Sequence, residues 1–96
     1  MRVIWTQPAV DSLIAIREYI AQNNPLNAER FVSSLINFTD LQLETFPYSG
    51  RKIPELSNAN YRELLFKSYR VMYSIDNDAI HVLSLQNSCQ QFRPFT

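Results

Sequence analysis

Two hydrophobic periods run along this chain, and the change from one to the other divides it. From about Pro8 to Gln22, Ala9, Leu13, Ile16 and Ile20 recur at spacings of three and four, with Val10, Ile14 and Ala21 beside them. That is the wide apolar stripe of an amphipathic helix, and Asp11, Arg17 and Glu18 fall outside it. Pro8 suits the first turn, where its missing N–H costs nothing, and Thr6 or Gln7 is placed to cap. Asn23-Asn24-Pro25 closes this helix and opens a second, because proline cannot continue the first but fits behind a capping Asn24. The second helix extends to about Thr45, with Ala28, Phe31, Val32, Leu35, Ile36, Thr39, Leu43 and Phe46 on its expected buried face. Pro47-Tyr48-Ser49-Gly50 stops it, and Gly50, the only glycine, is the expected site of a positive φ.

Beyond Gly50 the period becomes two. Tyr69, Val71, Tyr73 and Ile75 alternate with Arg70, Met72 and Ser74, as in a strand with one buried face. Asp76-Asn77-Asp78 reverses the chain into Ala79 to Leu85, which is rich in Ile and Val, so a β-hairpin is predicted. Tyr61 to Phe66 precedes it, and the short step through Lys67 and Ser68 allows only an antiparallel neighbour. Arg2 to Thr6 reads as a short first strand with Trp5 toward the core. Arg51 to Leu56 reads as an edge strand interrupted by Pro54, and residues 57–60 as a loop. The predicted order is β-α-α-β-β-β(-β), an α+β domain whose helical hairpin packs on one face of a small, mostly antiparallel sheet. Leu64, Phe66, Met72, Val82 and Leu83 occupy both strand parities and cannot all face the helices. Apolar surface is therefore expected to stay open on the second face until a partner covers it.

Ninety-six residues make a single domain, 1–96, long enough to bury about two-thirds of its unfolded surface without metals or disulfides. One cysteine, Cys89, forms no internal disulfide, and no basic start followed by an apolar run marks a secretory signal. A reducing, cytoplasmic setting is expected, and no apolar run approaches the ~18–20 residues of a membrane span. Net charge is zero, but residues 1–48 hold three basic and five acidic side chains and residues 49–96 hold six and four, giving −2 and +2. The basic half suits an acidic or nucleic-acid partner, although two charges do not indicate strong nonspecific DNA binding.

The pattern Pro8-Ala9-Val10-Asp11-Ser12-Leu13 leading to Ile16 and Tyr19-Ile20-Ala21 is followed by Asn24-Pro25 with Ala28 and Phe31. Phe46-Pro47 with Ser49-Gly50-Arg51, Tyr61-Arg62-Glu63-Leu64 and Tyr69-Arg70-Val71-Met72-Tyr73 complete it. In this order and spacing, over residues 3 to about 87, the chain resembles the ParE toxins of the RelE/ParE superfamily. The resemblance implies a toxin of a type II toxin-antitoxin system, neutralised by a cognate antitoxin in a hetero-oligomer. It implies either inhibition of DNA gyrase, as in ParE-like members, or cleavage of messenger RNA on the ribosome, as in the RelE branch. No cofactor or metal is implied.

Metal-free RNA cleavage needs a base for the 2′-hydroxyl, an acid for the leaving oxygen, and cations for the phosphorane. Arg70 matches the arginine that RelE-type toxins place on their central strand, Arg62 lies near another basic position, and Arg93 could replace a lost cation. The stretch Gln86-Asn87-Ser88-Cys89-Gln90-Gln91 lacks the basic residues and tyrosine of those enzymes, and Asn87 stands where a histidine is often found. A protein-binding toxin is therefore the leading expectation. The ribonuclease with Arg62, Arg70 and Arg93, and an inactive binding module, are the alternatives. Leu64, Phe66, Arg70, Met72 and Arg93 are the candidate partner-binding residues. Strand parity points Arg70 away from the helices, so Arg70→Ala is expected to spare folding, within about 0.5 kcal/mol. Whether Arg62 and Arg70 share a face is left open by the residues, though the resemblance implies that they do. His81 reads as a packed or edge histidine, and Cys89, with no histidine or cation adjacent, as an inert thiol.

Overall fold

The computed structural model describes residues 1–95. Strand β1 (Arg2–Trp5) leads into helices α1 (Gln7–Ala21) and α2 (Pro25–Thr45), followed by β2 (Arg51–Lys52), β3 (Tyr61–Phe66), β4 (Tyr69–Ile75) and β5 (Ala79–Asn87). The sheet order is β1-β5-β4-β3-β2. The last four strands pair antiparallel and β1 lies parallel to β5, with Val3 opposite Ile80 and Trp5 opposite Val82.

The helix starts follow from capping. Thr6 Oγ1 accepts from the Ala9 amide at 3.4 Å and donates to the Val82 carbonyl at 2.7 Å, so one side chain begins α1 and ties β1 to β5. Asn24 Oδ1 accepts from the Asn27 amide at 3.0 Å, and Pro25 stands in the first turn of α2. Ala9, Leu13 and Ile16 of α1 and Leu35 and Leu43 of α2 close on Leu64, Tyr69, Val71, Tyr73, Ile75, Ile80, Val82 and Leu85. Trp5 packs on this core, and its indole N–H donates to Asp40 of α2 at 2.8 Å.

A register shift resolves the mixed parity of β5. Tyr73 pairs with Val82 but Met72 pairs with Ser84, so Leu83 is an extra residue. Ile80 and Val82 before it and Leu85 after it all reach the helix-covered core.

Several expectations are corrected. Leu64 and Phe66 face the helices: Leu64 is buried, and the Phe66 ring lies 5.6 Å from Phe31 and 5.1 Å from Phe38 of α2. Met72 does face the other side, yet it is fully buried. The apolar face expected to await a partner is largely covered, because the chain after β5 turns back across it, though Leu65 on that face stays 51% exposed. Gln86 clasps the tail backbone there, donating to the Arg93 carbonyl at 2.7 Å and accepting from the Arg93 amide at 2.9 Å. Phe95 packs edge-on against Tyr61 at 5.9 Å. Phe46, expected inside, is 60% exposed, because it is the C-cap with φ −134° and the chain leaves the helix there. The edge strand is only two residues long; Ile53 turns into the interior and Pro54 offers no amide. Gly50 has no positive φ; the one non-glycine residue with positive φ among the described residues is Lys67, at 52°, in the β3–β4 turn. What requires glycine at position 50 is proximity, since a Cβ would fall 2.7 Å from the Glu63 carbonyl oxygen and collide with the Tyr73 hydroxyl.

Candidate functional site

The second face of the sheet carries an ion-pair chain set by strand register. Arg51 on β2 is opposite Glu63 on β3, and Arg70 on β4 is the diagonal neighbour of Glu63. Glu63 is completely buried and receives Arg51 Nε on Oε2 at 2.6 Å and Arg70 Nε on Oε1 at 2.7 Å. Arg70 turns its other two nitrogens to Glu55, with Nη2 at 2.6 Å and Nη1 at 3.1 Å from the two carboxylate oxygens. The Phe92 ring closes over the guanidinium at 5.3 Å. The bond to Glu55, and after it the bonds and charge of Glu63, hold Arg70 above its ordinary pKa against the opposing effect of burial. In return the hydrogen bond from Arg70 lowers the Glu55 carboxyl below its usual value. Two cations and two carboxylates sum to zero, and each side-chain nitrogen of Arg70 is engaged within the chain. This corrects the expectation that Arg70→Ala spares folding: the side chain leaves the helix face but is buried in an ionic network.

Arg62 lies on the other face. Its partner in register is Tyr73, a core residue beneath the helices, whereas Arg70 is opposite Leu65. The Arg62 Nη1 donates to the Gly50 carbonyl at 2.8 Å and the guanidinium lies 5.4 Å from the Tyr48 ring centre. Arg93 lies on the Arg70 side of the sheet: its backbone is clasped by Gln86, the register partner of Arg70, and the exposed residue borders a small cavity shared with Tyr19, Tyr69, Asn87 and Gln90. The sheet thus separates Arg62 from Arg70, and the three arginines proposed for phosphate chemistry do not share one face. Of the candidate partner-binding residues, Leu64, Arg70 and Met72 are buried, Phe66 is half-buried in an aromatic cluster, and Arg93 alone is exposed.

A family model described as ParE toxin of type II toxin-antitoxin system, parDE, matches residues 3–92. The chain belongs to the ParE toxin family. A curated relative named Toxin RelE2, from Caulobacter vibrioides, is 32% identical over 90 residues, covering 93% of this chain and 97% of that protein. Among solved structures, one titled Chromosomal ParDE TA system from P. aeruginosa superposes with a TM-score of 0.75 at 20% identity, covering 91% of this chain and 95% of that one. Another, the toxin-antitoxin complex RelBE2 from Mycobacterium tuberculosis, gives 0.64 at 19% identity, covering 90% and 88%. At those identities the structures establish a shared fold, and the family match makes the chain a toxin of a type II toxin-antitoxin system.

In this ParE-family toxin the remaining titratable groups are scattered. His81 Nδ1 lies 3.3 Å from Asp76 Oδ2 at the hairpin end of the sheet. Cys89 is an exposed free thiol whose amide is held by Asn87 Oδ1 at 2.8 Å. Among the described residues no cluster of histidine, cysteine and carboxylate side chains could hold a metal, and no helix is long and apolar enough to cross a membrane. Sequence reasoning passed over Glu55, Glu63, Gln86 and Phe92. For Glu63 a signal was present: a carboxylate inside an apolar strand needs a buried cation, and Arg70 is the cation of matching parity on the next strand.

Proposed function

We propose that this toxin arrests growth by binding a protein target, DNA gyrase, and that a cognate antitoxin neutralises it. The observation that carries this reading is the engagement of Arg70, each of whose three side-chain nitrogens is bonded to Glu55 or Glu63 while Phe92 covers its face. A cation held in this way is not free to stabilise a phosphorane, and Arg62 lies across the sheet from it. A bound antitoxin is the natural partner in this reading, since the ParDE and RelBE2 structures of like fold are titled as toxin-antitoxin assemblies.

Ribosome-dependent cleavage of messenger RNA is the second reading, favoured by the name of the relative Toxin RelE2. Purified toxin is added in parallel to a gyrase supercoiling reaction and to a translating ribosome system. Loss of supercoiling with intact message supports the proposal; cleaved message with normal supercoiling replaces it by the second reading. No effect on either would leave the fold as a binding module without toxicity.

A further inference from the structure

The two faces of the β2–β3 ladder treat charge in opposite ways. On the second face Arg51, Glu63, Arg70 and Glu55 alternate and cancel. On the helix side Lys52 stands opposite Arg62, two cations in direct register, and neither has a carboxylate within ion-pair distance among the described residues. Like charges placed so are unfavourable unless something bridges them. The Arg62 Nε is in addition buried without a hydrogen-bond partner, and its guanidinium rests against a Tyr48 ring that is 63% exposed.

This pair of cations adjoins an apolar groove. Phe46, Pro47 and Tyr48, with Gln42, Thr45 and Ser49, line a depression of about 560 Å³ at the C-terminal end of α2. Phe46 and Tyr48 are largely exposed there, and Leu41, one helical turn before Thr45, is 69% exposed. Large apolar side chains gathered in this way mark interaction surfaces, and Tyr48 joins the groove to the cation pair, since it lines the one and lies against Arg62 of the other.

From this juxtaposition we infer that the groove and the Lys52–Arg62 pair form one docking surface for an acidic peptide segment. Such a segment seats an aliphatic or aromatic side chain between Phe46 and Tyr48 and brings a carboxylate to Arg62 and Lys52. A carboxylate removes the repulsion between the two cations and forms the strong, charge-assisted bonds for which guanidinium is suited. Nucleic acid is the poorer fit, since two cations beside an apolar wall neutralise few phosphates. The inference rests on the reading of this toxin as a protein-binding one, but not on which protein it binds.

The probe is a fluorescein-labelled peptide of about ten residues in which Asp and Glu flank Leu and Trp, the scale of a short docked segment. Its controls are the same peptide with Lys in place of the acids, the acidic peptide with Ser in place of Leu and Trp, and a single-stranded RNA of equal length. The full-length toxin is expected to bind the acidic amphipathic peptide and to lose at least about tenfold in affinity in the Lys52→Glu variant. Lys52 is exposed and outside the core, so this variant leaves the fold intact; Phe46→Ser is expected to weaken binding as well. Absence of binding, undiminished binding in both variants, or stronger binding of the basic peptide or the RNA would each overturn the inference. Peptide binding without an effect on gyrase retains the surface and rejects the target, and the converse rejects the surface alone.

Discussion

Replacing Arg70 by alanine separates a buried ionic network from a solvated charge. The guanidinium supplies one of the two cations on Glu63, whose carboxylate is entirely removed from solvent, and it forms the ion pair with Glu55. Arg70→Ala leaves Glu63 with Arg51, which is 57% exposed and contacts only one of its oxygens. Breaking a buried pair from one side costs about 3–5 kcal/mol, because the stranded charge keeps its desolvation penalty and loses its compensation. Against the ~5–15 kcal/mol total stability of a typical domain this is a large fraction. At about 4–8 °C per kcal/mol for a chain of this size, the thermal midpoint falls by on the order of 12–40 °C. Urea unfolding followed through the single tryptophan, Trp5, measures the loss. The paired replacement Glu63→Leu with Arg70→Met removes both buried charges and is expected to recover most of the stability, since hydrophobic replacement of a whole buried pair is often neutral or better. Arg70→Ala within about 0.5 kcal/mol of the parent, the size of an ordinary surface change, would refute the reasoning. So would a double variant no more stable than the single one.

Three further outcomes follow from neighbouring contacts. Gly50→Ala forces a methyl group onto the Tyr73 ring and the Glu63 carbonyl, and is expected to cost about 1–3 kcal/mol in urea denaturation, as overpacking does. In acid, the Glu55 carboxyl, held by Arg70 below its ordinary 4.5, contributes stability that is complete above about pH 4.5 and is lost as pH falls through its folded-state value, so a Glu55→Gln variant should show a flatter decline in thermal midpoint below pH 4.5 than the parent. In alkali, burial raises Tyr73 above its ordinary 10.0, so its contribution is complete below pH 10.0 and disappears as pH rises through the folded value; tyrosinate absorbance should show late-ionising amplitude, shared with the likewise raised Tyr69, that is reduced by one group in Tyr73→Phe.

The fold was legible where a single physical signal acted alone. The threefold and fourfold spacing of Ala9, Leu13 and Ile16, the proline at the start of each helix, and the alternation from Tyr69 to Ile75 each correspond to an observed element. The signals failed where two effects competed. Phe46 continues the apolar stripe of α2, but the preceding turn already ends the helix and directs the ring outward. Gly50 invites an argument from backbone freedom, while the demand comes from the Tyr73 hydroxyl, which accepts from the Gly50 amide at 3.0 Å and donates to the Pro47 carbonyl at 3.0 Å. Parity in β5 reads as disorderly until the extra residue Leu83 is known, because a one-residue bulge exchanges the faces of everything beyond it.

The candidate site was less legible, for a reason that parity cannot supply. Alternation correctly directs Arg70 away from the helices, but the fate of a side chain on a second face depends on what crosses that face later in the chain. Here Phe92 and the Gln86–Arg93 clasp come from a tail with no periodicity of its own, and Glu55 comes from an irregular loop after β2. Together they convert an arginine that resembles a phosphate ligand into the centre of a closed, neutral network. The same covering removes Met72 from the surface and leaves Leu41, Phe46 and Tyr48 among the exposed apolar side chains, beside Lys52 and Arg62, which have no ion-pair partner among the described residues. If binding is this toxin's mode of action, its specificity resides at that end of α2 rather than on the arginine strand, and substitutions at Phe46 and Lys52 should affect partner choice while leaving the network around Glu63 intact.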